Sequence, residues 1–136
     1  MKRRILLAGS CALALSGIVQ AEPNPEAWWA RPGPDGVQRI YIRCGPDFID
    51  PAQIVVRANV PVELVVSAPA DLADHSFTAD LPRAQSFLVD IPVGPEQRNV
   101  AFIPGLQGKF KSACRDNKAS KDPKEKQKRG ELTVIP

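Results

Sequence analysis

Short strand-like runs separated by frequent turn signals constrain this chain more than any other feature of its sequence, and two of the runs, 53–57 and 61–67, are rich in β-branched residues. Eight runs follow one another, at 37–43, 53–57, 61–67, 76–79, 87–91, 99–103, 109–113 and 131–135. The first run alternates, with Ile40 and Ile42 on one face and Arg39, Tyr41 and Arg43 on the other. No window shows a helical period. The pattern therefore predicts an all-β fold, an antiparallel sandwich or barrel.

The N-terminus has the three parts of a secretory signal peptide. A basic head at 2–4 precedes an apolar run at 5–19 and a small-residue cleavage pattern at 19–21. The apolar run is shorter than the ~20 residues that a membrane-spanning helix needs. We therefore predict cleavage after Ala21 and a periplasmic or secreted protein that is not transmembrane. Cleavage leaves 136 − 21 = 115 residues, an ordinary size for one domain.

The predicted organisation has three parts, a signal peptide over 1–21, a Pro/Gly-rich N-terminal arm over 22–36 and a single domain over 37–136. The arm contains four prolines and two glycines, which favour irregular structure. Trp28 and Trp29 lie within it. We expect them to cover an apolar edge of the sandwich, and a role in docking a partner is the alternative.

Charge is distributed unevenly along the mature chain. The signal peptide removes three of the 18 basic residues, which leaves 15 basic and 15 acidic ones. Between 109 and 129 there are nine Lys or Arg and three Asp or Glu, a net charge of 9 − 3 = +6. We predict that 115–130 is a loop or a short exposed helix. Its expected docking residues are Lys118, Lys121, Lys124, Lys126, Lys128 and Arg129.

Two interpretations of this Lys-rich loop stay open. It is either a solvated insertion or a docking surface, steered by charge, for an acidic protein partner or an anionic membrane surface. Nucleic acid is not an expected partner. The protein is predicted to be exported, and the loop lacks the interleaved aromatic residues on which bases stack.

Five sequence motifs, in order along the chain, resemble those of the cupredoxins. They are Phe48-Ile49-Asp50-Pro51 with Ile54-Val55-Val56, then Pro61-Val62-Glu63-Leu64-Val65-Val66, Asp74-His75-Ser76-Phe77, the stretch 102–114 that ends in Cys114, and Gly130-Glu131-Leu132-Thr133-Val134. The resemblance puts His75 at the first copper-binding imidazole and Cys114 at the copper thiolate. It covers 37–136 and implies a cupredoxin-like antiparallel Greek-key β-sandwich. Short periplasmic domains of this type are associated with iron and copper uptake.

The resemblance fails at the copper-binding loop. A cupredoxin follows its cysteine with a second histidine and usually a methionine, whereas Arg-Asp-Asn-Lys follows Cys114 here. His75 is the only histidine of the chain, and Met1 is the only methionine. A blue-copper site needs two imidazoles and one thiolate. We therefore predict that this protein has no type 1 copper site.

Two chemistries stay open for the cysteines that remain after the signal peptide is removed. In the cupredoxin fold, the loop that corresponds to Cys44 lies beside the copper end, so Cys44, His75 and Cys114 are expected to converge. In an oxidising compartment the two cysteines are expected to form a disulfide. If the thiols are reduced, the three side chains are candidate metal ligands, and two thiolates with one imidazole suit Cu(I).

Catalysis is not predicted. Ser76 directly follows the only histidine, and adjacent residues on a strand point to opposite faces. We expect a non-enzymatic, exported binding or scaffold module with a Lys-rich docking loop, which requires no cofactor. The alternative is a copper-binding protein, a carrier or a sensor, that uses two cysteines and one histidine.

Overall fold

A computed structural model describes residues 26–72, 74–83, 87–117 and 127–136. Every regular element of these residues is a β-strand. The strands are β1 (Trp28–Trp29), β2 (Gln38–Cys44), β3 (Ile49–Asp50), β4 (Gln53–Arg57), β5 (Val62–Ser67), β6 (His75–Leu81), β7 (Phe87–Val93), β8 (Arg98–Phe102), β9 (Gly108–Asp116) and β10 (Gln127–Ile135). Among the described residues, no helix is long and apolar enough to cross a membrane.

The strands form two sheets that pack face to face. The six-stranded sheet has the order β1-β4-β10-β9-β6-β7, and the four-stranded sheet has the order β3-β2-β5-β8. The predicted all-β sandwich is confirmed. The sheets are mixed rather than purely antiparallel, because β4 runs parallel to both β1 and β10, and β2 runs parallel to β5. Consecutive strands such as β4 and β5 lie in opposite sheets, so neighbours within one sheet need not be joined by a hairpin.

All eight predicted strands are present, but the prediction of a loop or helix over 115–130 was wrong at both ends. Arg115 and Asp116 belong to β9, and Lys128 and Arg129 belong to β10. Lys128 pairs with Cys114 in the ladder between these strands. Arg115 and Arg129 are compatible with this ladder, because their face of the six-stranded sheet is open to water. Lys118, Lys121, Lys124 and Lys126 lie outside the described residues.

The arm that was predicted to be irregular contains a short strand. Trp28–Trp29 forms β1 at the edge of the six-stranded sheet, and the Ala30 N–H donates to the Val55 carbonyl at 2.9 Å. The side chains of Trp28 and Trp29 are 58% and 49% exposed. The signal peptide over 1–21 lies outside the described residues, and the domain boundaries stay predictions.

The core lies between the sheets and is built from alternate residues of each strand. Ile40 and Ile42 of β2 are buried, as their alternation predicted, and they join a cluster with Phe77, Leu132 and Val134. Burying a large apolar side chain contributes about 1.5–3 kcal/mol. The inward face of each strand is therefore fixed, since a slip of one residue would turn this set towards water.

Gly130 allows β10 to lie close to the connection between β3 and β4 and to the neighbouring strand β9. A Cβ at this position would lie 2.7 Å from the Ala52 carbonyl oxygen and 2.7 Å from the Ser112 hydroxyl. The next residue, Glu131, donates its N–H to the same Ala52 carbonyl at 2.7 Å. Steric exclusion of a side chain thus explains the glycine in the last of the five sequence motifs.

A buried amide, Gln38, ties β2 to the turn between β4 and β5. Its Nε2 donates to the carbonyl oxygens of Arg57 and Val60, both at 3.1 Å, and its Oε1 accepts the Arg57 N–H at 2.7 Å. Asn59 occupies this turn with a φ of 61°. Gln38 is fully buried, and every polar group of its side chain has a partner. The amide therefore closes the turn without leaving a buried polar group unsatisfied.

We expect Gln38→Leu to lower the free energy of unfolding by about 3 kcal/mol, since each backbone group left unsatisfied costs roughly 1–3 kcal/mol. Urea unfolding measures this change. Gln107→Leu is the matched control, because Gln107 is exposed and surface changes usually alter stability by less than about 0.5 kcal/mol. Equal destabilisation in the two variants would contradict the assignment.

Candidate functional site

A disulfide joins the two sheets at one end of the sandwich. Cys44 of β2 is bonded to Cys114 of β9, with a Cα–Cα distance of 5.8 Å and a sequence separation of 70 residues. The predicted disulfide is confirmed. Cys44 was expected in a loop, but it is the last residue of β2, where it pairs with Ile49. The bond therefore links strands that belong to different sheets.

The disulfide is buried among core side chains. Cys44 is 0% exposed and Cys114 is 1% exposed. Phe77, which is fully buried, pairs with Cys114 across β6 and β9. A thiolate from solvent must reach a sulphur atom to reduce a disulfide. Reduction therefore requires the sandwich to open.

His75 lies at the same end as the disulfide, at the start of β6. It pairs with Asp116, two positions beyond the pair formed by Phe77 and Cys114. His75 and Cys114 are thus diagonal neighbours on adjacent antiparallel strands, roughly 7–8 Å apart. The side chain of His75 is partly buried.

A polar network closes the turns around His75. The Asn117 N–H donates to the Asp74 carbonyl at 2.7 Å, and Asn117 Nδ2 donates to Ser76 Oγ at 2.7 Å. Asp74 has a φ of 51°, in the left-handed region. These bonds hold the end of β9 against the start of β6. The hydroxyl of Ser76 serves here as an acceptor for an amide, which is a structural role.

A depression of about 420 Å³ lies on the outer face of the six-stranded sheet. Thr78 and Ala113 form its floor, and the exposed side chains of Leu88, Lys111 and Arg129 stand around it. Arg129 was expected to be a docking residue of the loop, and it projects from β10 onto this face instead. Lys128, the other described member of that set, pairs with the inward-facing Cys114. Sequence reasoning missed Lys111 and Leu88, which became neighbours of Arg129 only through strand pairing.

A second depression, of about 280 Å³, lies between the edges of the two sheets. Trp28 and Tyr41 line it together with Arg39 and Arg43. Arg39 donates to Asp35 at 2.8 Å and to Glu63 at 3.3 Å. The hydrogen bond from Arg39 lowers the pKa of the Asp35 carboxyl group. The guanidinium group of Arg39 is therefore already paired with two carboxylates of the protein.

Three solved structures share the architecture of this chain at low sequence identity. The Cu(I)-bound metal-binding domain of the P-type ATPase CopA of Streptococcus pneumoniae D39 is 22% identical, with a TM-score of 0.56, over 82% of this chain and 97% of that one. A copper-binding protein in the apo form is 22% identical, with a TM-score of 0.52, over 80% and 97%. Auracyanin A, a blue copper protein of Chloroflexus aurantiacus, is 16% identical, with a TM-score of 0.55, over 74% and 100%.

This chain has a cupredoxin-like fold. The similarity is one of structure, since no family model and no curated protein sequence matches the chain. The fold expected from the five sequence motifs is thereby confirmed.

The residues present do not fit the copper ion of the blue-copper proteins. One imidazole and a disulfide do not supply the two imidazoles and the thiolate that such a site requires. Within 26–72, 74–83, 87–117 and 127–136, no group of three His, Cys, Asp or Glu side chains could hold a metal ion. The site of Cys44, His75 and Cys114 stays a prediction for the reduced protein, since the two sulphur atoms are bonded to each other here.

We expect the double variant Cys44→Ala/Cys114→Ala to lose about 4 kcal/mol of unfolding free energy, because the chain-entropy model assigns that much to a loop of this length. Urea unfolding of the oxidised protein and the variant measures the difference. Ala68→Gly, at another buried position, controls for general loss of packing. A double variant as stable as the oxidised protein would contradict a stabilising role for the bond.

We also expect the oxidised protein to remain unlabelled by an alkylating reagent in the presence of a mild reductant, because both sulphur atoms are buried. Labelling should appear only at denaturant concentrations that unfold the sandwich. Intact mass spectrometry counts the added groups. Labelling of Cys44 or Cys114 in the folded protein would show that solvent reaches the bond.

Proposed function

We propose that this protein is an exported, non-enzymatic binding module that docks to an acidic protein partner. The observation that carries the proposal is the buried disulfide between Cys44 and Cys114, which lies at the end of the sandwich where the resemblance to cupredoxins would place copper ligands. Because the disulfide occupies the cysteine that would bind a metal, we assign the function to the outer surfaces of the sandwich.

Electron transfer is disfavoured by the donor set of this chain. In a type 1 centre, the copper ion that carries the electron is held by two imidazoles and a thiolate. Cys114, the residue at the thiolate position, is covalently bonded to Cys44. His75, the only imidazole of the chain, has no second histidine to join it.

The charge of the chain supports docking to an acidic partner. The segment 118–129 holds six Lys or Arg and two Asp or Glu, a net charge of 6 − 2 = +4. Its described flanks, Asn117 at the end of β9 and Gln127 at the start of β10, lie close to the disulfide, because Lys128 pairs with Cys114. Concentrated positive charge raises the rate at which an acidic partner is encountered.

A protein partner suits this surface better than an anionic membrane does. Asp80 and Glu131 line the depression that Arg129 borders, and Asp122 and Glu125 interrupt the lysines in the sequence. A membrane surface presents uniform negative charge, which these carboxylates repel. A protein partner can offer cations as well as carboxylates, which is the usual pattern of electrostatic complementarity at an interface.

We expect the charge reversal K118E/K121E/K124E/K126E to weaken binding to an acidic peptide about tenfold or more, by removing electrostatic attraction. The probe is a Ser-Glu-Ser-Glu-Leu-Leu-Ser peptide, titrated at low and moderate salt. R31E/R43E/R83E/R98E is the control, with the same change in net charge at exposed positions elsewhere. Equal weakening in both variants, or binding to phosphatidylglycerol vesicles without binding to the peptide, would refute docking to an acidic protein.

The alternative function is a copper carrier, and it requires both thiols to be reduced. It is suggested by the copper-binding structures that share the fold. We expect the protein, isolated without reductant, to leave Cu(I) with a competing chelator, and to form no blue complex with Cu(II). Uptake of one Cu(I) by the isolated protein, lost in Cys44→Ala/Cys114→Ala, would establish the carrier instead.

A further inference from the structure

The floor of the depression on the six-stranded sheet is made of small side chains in one cross-strand row. Arg129, Ala113 and Thr78 are paired across β10, β9 and β6, so their side chains share the outer face of the sheet. Ala113 is 8% exposed, because the longer side chains around it rise above it. The row thus leaves space for a side chain from a partner.

Two cations beside this floor have no ion-pair partner among the described residues. Lys111 and Arg129 are both exposed, and neither takes part in a salt bridge with any described residue. Two other cations on the same face are paired, Lys109 with Glu131 at 3.7 Å and Arg115 with Asp90 at 3.2 Å. Along the outer face of β9 and β10, the unpaired positive charge of the described residues therefore lies at the depression.

The two unpaired cations have a spacing that suits an extended peptide. Lys111 pairs with Glu131, and Arg129 pairs with Ala113, so the two cations are diagonal neighbours, roughly 7–8 Å apart at their backbones. Side chains at positions i and i+2 of an extended strand point the same way and are about 6.5–7 Å apart. Two carboxylates with this spacing can each meet one cation.

An exposed leucine borders the other side of the depression. Leu88 of β7 is 63% exposed and pairs with Asp80 of β6, whose carboxylate also lines the depression. An apolar side chain of a ligand that packs on Leu88 and Ala113 would remove the exposed leucine from water. The carboxylate of Asp80 lies between this apolar contact and the cations, and it disfavours a ligand with continuous negative charge.

We infer that this depression binds an extended acidic segment of a partner protein, in which two carboxylates two residues apart precede an apolar residue. Lys111 and Arg129 bind the carboxylates, and Leu88 and Ala113 contact the apolar side chain. The inference rests on the proposed docking function and adds to it the surface and the chemistry of the partner. The segment 118–126 then steers the encounter, while the depression selects the sequence.

The test is a titration of the ¹⁵N-labelled protein with the Ser-Glu-Ser-Glu-Leu-Leu-Ser peptide, followed by chemical shifts of backbone amides. We expect the shifts to concentrate in β6, β7, β9 and β10 around Thr78, Leu88, Lys111, Ala113 and Arg129. Two control peptides carry Gln in place of both Glu residues or Ser in place of both Leu residues. The Kd of each should be at least about tenfold higher than that of the original peptide. Absence of shifts at the depression overturns the inference.

Variants separate the depression from net charge. K111E/R129E and Leu88→Ser should each raise the Kd for the peptide, the former about tenfold or more. R43E/R98E makes the same charge change as K111E/R129E at exposed positions of β2 and β8, in the four-stranded sheet, and should leave the Kd within about twofold at moderate salt. Since all three changes are at exposed positions, circular dichroism and the intact mass of the disulfide form serve as folding controls. Equal effects of the two double variants would overturn the inference.

The outcomes also distinguish this inference from the proposed function. If K118E/K121E/K124E/K126E abolishes binding and K111E/R129E does not, the docking function stands and the depression is not its site. If the reverse holds, the depression is the site and the lysine segment has no role in binding. If phosphatidylglycerol vesicles shift the same amides and the peptide does not, a membrane is the ligand and both proposals fail.

Discussion

The covalent bond between β2 and β9 determines what the rest of this molecule can do. It closes the end of the sandwich where the fold would otherwise present metal ligands, and it joins the two sheets at a point where each contributes a buried strand. Around it, Phe77 fills the core and Asn117 fixes the strand ends through Asp74 and Ser76. The disulfide and these hydrogen bonds hold the strand ends together, and the cysteine at the predicted thiolate position is used in a covalent bond.

The outer faces of the two sheets differ in how their charged side chains are paired. In the six-stranded sheet, β9 and β10 carry alternating cations on their outer side, of which some are neutralised across the ladder and two are not. In the four-stranded sheet, Arg39 is held by Asp35 and Glu63. Cations of the same type are thus paired at some positions of the ladders and unpaired at others. Strand pairing, rather than composition, makes this distinction.

Much of the fold was predictable from local patterns, and most of the site was not. Alternation identified the faces of β2, and an even pair of cysteines, in a chain predicted to be exported, predicted the bond between Cys44 and Cys114. The polar residues at the ends of β9 and β10 hid these strand ends, because a strand with one face in water tolerates residues such as Arg129. Gln38 was missed, since its burial depends on carbonyl groups 19 and 22 residues away. Lys111 and Leu88 are 23 positions apart in sequence and meet only through β6.

The position of β10 has a consequence for how the protein is made. This strand lies between β4 and β9, near the middle of the six-stranded sheet, although it is the last strand of the chain. Until it is in place, β1 and β4 form one ladder and β9, β6 and β7 another, with no contact in the sheet between them. This sheet therefore cannot assemble before β10 is present, and each residue pair between β4 and β10 is 131 − 53 = 78 positions apart in sequence. A partial chain that lacks β10 would leave β4 and β9 as unpaired sheet edges, and such edges can pair with other chains.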